Sequence, residues 1–266
     1  MNTLRPMVMS LGLLLTTRSF AFAPAADDPI CLLKSCAVTL LQCGIEEECR
    51  NWLGCVRGCG DDKIKCPSTC GFFYQSDRIN KTSQCVFDSR CVDLGFAILP
   101  NYEHGNRPTL PLPELTGSYW FAASYGGTHI FDYDCQRFDF AAGKEASQLI
   151  RVNFSVPLTL NGASRLTSAH GSFLRLNSGA VEVAYENFSG YHERWYLLDL
   201  TPDSLLAHVC IDAGQVCYDY GTVLLTKSAM SELAPGILQQ IDHVAREQYG
   251  GGIGDFKQSR VEGCGD

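Results

Sequence analysis

Ten cysteines, Cys31, Cys36, Cys43, Cys49, Cys55, Cys59, Cys66, Cys70, Cys85 and Cys91, crowd about sixty residues of the chain. Two chemistries are open to such a set: disulfides or metal thiolates. Structural zinc sites favour Cys-x-x-Cys knuckles, often completed by histidine. Here the close pairs are Cys55-x3-Cys59 and Cys66-x3-Cys70, and no histidine falls inside the segment. An even number of cysteines at these spacings reads as a disulfide ladder with no metal, although spacing alone does not give the pairing.

A second set concerns proton transfer. Along His192 to Leu200 the residues alternate as in a strand, so Tyr191, Glu193, Trp195 and Leu197 share one face. Turned inward, that face puts Glu193 among aromatic rings, where burial raises a carboxyl's pKa and suits it to act as a general acid. Turned outward, it makes Glu193 an ordinary surface carboxylate. Asp134 is the second candidate acid, expected on one face with Gln136, Phe138 and Phe140. The alternative for Asp134 and Gln136 is a structural pair bonded to backbone. The six histidines show no metal-ligand spacing, and no Ser-His-Asp or glycine-rich phosphate motif stands out.

These residues need elements to hold them. Between the cysteines, Val38 to Gln42 and Trp52 with Val56 follow helical periodicity, so residues 31–99 read as short helices stapled side by side. Pro100 to Pro113 is a linker. From residue 114 to 230 the pattern becomes short alternating runs: 119–125, 131–140, 148–159, 164–176, 181–187, 192–200, 205–211 and 216–227. Eight strands joined by turns such as Asn177-Ser-Gly179 and Asp212-Ala-Gly214 give a mainly β chain with an up-and-down barrel. Its interior is just wide enough for side chains or one small apolar ligand. The segment 231–266 adds a helix over Ser231 to Tyr249, striped by Leu233, Ile237, Ile241 and Val244, and a tail.

The formal net charge of -8 excludes nucleic acid as a partner. Residues 1–30 read as a targeting presequence: Arg5, then an apolar stretch from Met7 to Leu15, then small residues through Ala23. Ser19-Phe-Ala-Phe-Ala-Pro24 resembles the phenylalanine-centred junction of presequences that enter plastids of secondary origin. Plain secretion is the alternative, and Asn80, Asn153 and Asn187 would then begin glycosylation sequons.

Two blocks carry a family resemblance. The cysteine series from Cys31-Leu-Leu-Lys-Ser-Cys36 to Cys85 resembles the Cys-rich N-terminal domain of violaxanthin de-epoxidases. In the second block, Gly117-Ser-Tyr-Trp120, Phe131-Asp-Tyr-Asp-Cys-Gln136 and Tyr191-His-Glu-Arg-Trp-Tyr196 resemble three segments of that family's lipocalin-like barrel. The resemblance implies an ascorbate-dependent oxidoreductase of the thylakoid lumen that reduces a xanthophyll epoxide to an alkene. It implies peripheral contact with thylakoid lipid, room for a homodimer and a bond between Cys135 and Cys264. It puts Glu193 and Asp134 in catalysis, with Gln136, Phe173, Tyr191 and Trp195 lining the substrate site.

The departures matter as well. Gly171, Val209 and Leu225 stand where the family carries a glutamine and two tyrosines, and Phe138 and Ala141 replace two histidines linked to its pH response. Cys210 and Cys217 are extra and flank a turn that a disulfide would bridge. Two other functions therefore compete: a non-catalytic lipocalin that carries a carotenoid or lipid, and a filled barrel that only presents the Cys-rich module to a protein.

Overall fold

The computed structural model describes residues 28–62, 65–89, 91, 98–99, 115–126, 133–143, 150–175, 180–186, 192–212 and 217–264. Residues 1–27 of the presequence and the whole linker lie outside these residues.

Four helices form the first module: α1 (Pro29–Ile45), α2 (Glu47–Arg57), α3 (Lys65–Phe73) and α4 (Asp77–Ser89). Asp28 caps α1 by accepting from the backbone N–H groups of Ile30 and Cys31 at 2.9 and 3.0 Å, and Pro29 suits a first helical position. Disulfides Cys31–Cys91 and Cys36–Cys85 tie the two ends of the module together. Cys43–Cys49, Cys55–Cys70 and Cys59–Cys66 fix α2 and α3. What they enclose is small: Trp52, Ile79 and the sulfurs themselves. So slight a core needs cross-links, each of which contributes roughly 2 to 4 kcal/mol by restricting the unfolded chain. The sulfurs of Cys59, Cys66 and Cys70 lie within 4.8 Å of one another, yet each is already bonded to another cysteine.

The barrel is an antiparallel meander of β2 (Gly117–Tyr125), β3 (Arg137–Ala142), β4 (Ile150–Leu160), β5 (Ala163–Arg175), β6 (Val181–Tyr185), β7 (His192–Leu200), β8 (Ser204–Asp212) and β9 (Cys217–Thr226). Pairing of β9 with β2 closes it, with Trp120 opposite Thr226 and Tyr125 opposite Thr222. Closure leaves no long free edge. Two short strands extend the sheet: β1 (Ile98–Leu99) on β9 and β10 (Lys257–Gln258) on β2. The alternation is clear on β4, where Ile150, Val152, Phe154, Val156 and Leu158 are buried while Asn153 and Pro157 are exposed.

Helix α5 (Pro235–Tyr249) lies outside the barrel and buries Ile241 and Ala245 against Leu206, Leu224 and Ala123. The helix is shorter than the expected span from Ser231, because Met230–Glu232 forms a separate 3-10 turn before Pro235. Cys135 is bonded to Cys264, which fixes the tail beside β3. Cys210 is also in a disulfide, while the side chain of Cys217 lies outside the described residues. Of the sequons, Asn80 is buried in α4, Asn153 is exposed on β4, and Asn187 is outside the described residues.

The two parts pack on each other through α3. Arg165 of β5 donates to the carbonyl of Phe73 at 2.6 Å and Thr167 to that of Phe72 at 2.7 Å. Phe73 is buried with the barrel core, and Phe72 lies 5.6 Å from Phe154, ring centre to ring centre. The helical module thus supplies aromatic side chains to the barrel interior.

Candidate active site in the barrel interior

The inward positions of the barrel are mostly aromatic. Phe138 lies 5.2 Å from Phe154 and 5.8 Å from Trp195, and Phe173 lies 5.5 Å from Trp195 and 5.6 Å from Phe140, between ring centres. Tilted and edge-on contacts at these distances are the preferred arrangement of aromatic pairs. Against this apolar wall, two polar side chains stand out.

The first is Glu193, which faces inward and is 1% exposed. The register of β7 places it opposite Val183 on one side and Ile211 on the other, so strands supply its neighbours above and below. Its Oε2 accepts the indole N–H of Trp195 at 2.8 Å and the phenol of Tyr185 at 3.1 Å. Burial and then the adjacent Glu193 push the Tyr185 phenol well above its ordinary value of 10.0, so it remains a neutral donor. Glu193 is therefore a buried carboxyl among aromatic rings, with two hydrogen bonds meeting at its Oε2.

Gln136 is the second. It is completely buried, its backbone carbonyl accepts from Phe121 at 2.9 Å, and neither side-chain atom has a hydrogen-bond partner among the described residues. An orphaned amide in a closed interior costs about 1–3 kcal/mol, which is a reason to look for a ligand that completes it.

Trp195 and Phe173 join Glu193 in the interior, whereas Tyr191 lies outside the described residues. Asp134 does not join them. The shared face expected from alternation is not formed, because Cys135 takes a φ of 57° and β3 begins only at Arg137. The Asp134 carboxylate is exposed, accepts the backbone N–H of Arg260 at 3.1 Å and lies 3.6 Å from its guanidinium. It secures the C-terminal tail beside the Cys135–Cys264 bond.

Gly171, Val209 and Leu225 all lie in the buried interior, as does Phe138. The adjacent His208 turns to the other side of the sheet wall. There its Nδ1 is 3.4 Å from the Thr222 hydroxyl and its Nε2 is 3.3 Å from Asp219, whose carboxyl is raised above its usual range by burial. Sequence reasoning missed Tyr185, although alternation from Val181 through Val183 puts it on the inward face. It also missed Phe72 and Phe73, whose signal was the aromatic run after Gly71.

With this geometry in place, comparison with known proteins is decisive for the family. The model of the VDE lipocalin domain matches residues 28–258. The chain belongs to the VDE lipocalin family. Within that family's neighbourhood, Arabidopsis thaliana violaxanthin de-epoxidase, chloroplastic, is 24% identical over 200 residues. That match takes in 68% of this chain and 42% of the plant protein, so the VDE lipocalin chain spans less than half of this relative's length. Among solved structures, lobster apocrustacyanin A1 is 11% identical over 62% of this chain and 87% of its own, with a TM-score of 0.42. A bovine odorant binding protein mutant is 16% identical over 55% and 93%, with a TM-score of 0.37.

Proposed function

We propose that the chain reduces an epoxide on a xanthophyll ring to an alkene, with ascorbate as the reductant and Glu193 as the proton donor. The observation that carries this reading is the burial of the Glu193 carboxyl among aromatic rings, with Trp195 and Tyr185 aimed at one of its oxygens. Opening a strained ring ether requires a proton on the departing oxygen, and a positioned carboxylic acid is suited to give it. Ascorbate supplies two electrons and two protons, leaving as dehydroascorbate, while the epoxide oxygen leaves as water. The aromatic lining keeps bulk water from the acid and offers flat surfaces to a polyene end ring. Gln136 can donate to or accept from the substrate oxygen, which would complete its unpaired amide.

A specific observation favours a second reading, a non-catalytic carrier of an apolar ligand. Gly171, Val209 and Leu225 offer no side-chain donor to an epoxide, and the interior rings pack closely. The two readings part on Glu193→Ala. The enzyme loses turnover while retaining pigment; the carrier shows no turnover before or after the change.

Compartment and membrane contact belong to the same proposal. Disulfides fit maturation in an oxidising compartment, and the thylakoid lumen is the one assigned here. Contact with lipid is assigned to α1, where Ile30, Leu33, Val38, Leu41 and Ile45 are 61–80% exposed. Lys34 is the sole charged residue among the 17 of this helix, in a chain whose net charge is -8. Nothing acidic on that face opposes a lipid headgroup, and an apolar stripe of this kind can lie in the interface plane. Among the described residues no single helix is long and apolar enough to cross a membrane.

A further inference from the structure

We infer that Tyr185 is a positioning residue for Glu193 and that Gly171 is the seat that admits it, an inference that rests on the reading of Glu193 as the acid. The register of β5 and β6 sets Gly171 directly opposite Tyr185. A Cβ at position 171 would meet the carbonyl oxygen of Ala184 at 2.7 Å and Cδ1 of Tyr185 at 3.1 Å. The first distance is one that real side chains do not tolerate. Gly171 does not have the left-handed backbone that marks Gly117 or Gly221, so its requirement is for space and not for conformation.

That space decides where the phenol goes. With no side chain opposite it, the Tyr185 ring packs over β5 and its hydroxyl reaches Glu193 Oε2, which Trp195 already engages from the same strand. Two donors thus converge on Oε2. Tyr185 and Val183 from β6, Trp195 from its own strand and Ile211 from β8 face Glu193; Tyr220 of β9 lies close enough to Tyr185 to add to its upward shift. Gly171 acts through Tyr185, and Tyr185 acts through the carboxyl.

The test is a titration of the Glu193 carboxyl by carbon NMR in full-length protein labelled at glutamate Cδ, the signal being assigned by its loss in Glu193→Gln. Removing one donor to a carboxylate disfavours the ion, so Tyr185→Phe raises the midpoint by about one pH unit or more. Gly171→Ala raises it in the same direction. In the double variant the shift equals that of Tyr185→Phe alone, the non-additivity expected when one residue works through the other. An unchanged midpoint in Tyr185→Phe overturns the inference, as does a Gly171→Ala effect that adds in full to it. If Gly171→Ala does not fold, Tyr185→Phe decides alone. A shifted midpoint in a protein that turns over no pigment supports the positioning role and rejects the enzymatic reading, so the two can fail separately.

Discussion

Trp195 donates its indole N–H to Glu193 Oε2 across 2.8 Å, from a position two residues along the same strand and on the same inward face. The pair links a fluorophore to the proposed acid. Ionisation of Glu193 is therefore expected to change the emission of Trp195, giving a pH-dependent component that disappears in Glu193→Gln. Trp52 and Trp120 lie elsewhere, so the difference between the two proteins isolates Trp195.

Gln136 gives a prediction in which stability and function move in opposite directions. Gln136→Leu replaces a fully buried, unpartnered amide by an apolar side chain of similar size. Unfolding in denaturant should show the variant more stable by about 1–3 kcal/mol. Pigment binding, followed by absorbance, should weaken if that amide meets the ligand oxygen.

The bond between Cys135 and Cys264 closes a loop over a sequence separation of 129 residues. Restriction of so long a loop in the unfolded chain is worth up to about 5 kcal/mol. Cys264→Ser should lower the denaturation midpoint under oxidising conditions. Removal of Asp134, which supports the same tail from the surface, should cost about 1 kcal/mol or less and leave turnover intact.

Asp199 on β7 gives a pH dependence whose sign is fixed. Burial raises its carboxyl above the ordinary 3.8, against the opposing hydrogen bond from Gln240 at 2.9 Å. The unfolded chain then gives up this proton at lower pH than the folded one, so stability falls as pH rises from 3.8 through the folded-state value. Asp199→Asn should be more stable than the parent above that window and equal to it below 3.8, as read from paired denaturation curves.

The exposed stripe on α1 is tested by flotation with vesicles of galactolipid and anionic lipid. Leu33→Glu with Leu41→Glu should abolish co-flotation and leave barrel stability unchanged, since both residues are exposed. Self-association lost in the same variant without any flotation of the parent would assign the stripe to a second copy of the chain.

Much of this architecture was legible because the barrel strands alternate, most cleanly on β4. Ile150 to Leu158 on β4 and His192 to Leu197 on β7 show in the sequence which residues share a face, but not which way the face of Glu193 and Trp195 turns; the structure turns it inward, and Phe173, which the resemblance alone put at the substrate site, is buried there too. Asp134 was misplaced because the same rule was applied across a residue that breaks it: Cys135 takes a positive φ, and β3 begins only at Arg137, neither of which shows in a periodicity. The docking of Phe72 and Phe73 onto the barrel was out of reach for a related reason. It depends on Arg165 and Thr167 meeting carbonyl groups 92 and 95 residues away, a long-range contact that local patterns do not encode.

The central claim is tested most directly by incubating oxidised protein with violaxanthin or diadinoxanthin, ascorbate and a dispersing galactolipid, and resolving the pigments by chromatography. The account predicts a de-epoxidised product that requires ascorbate and is lost in Glu193→Gln. Pigment that is bound but recovered unchanged at acidic and neutral pH would contradict it and leave a carrier in place of an enzyme.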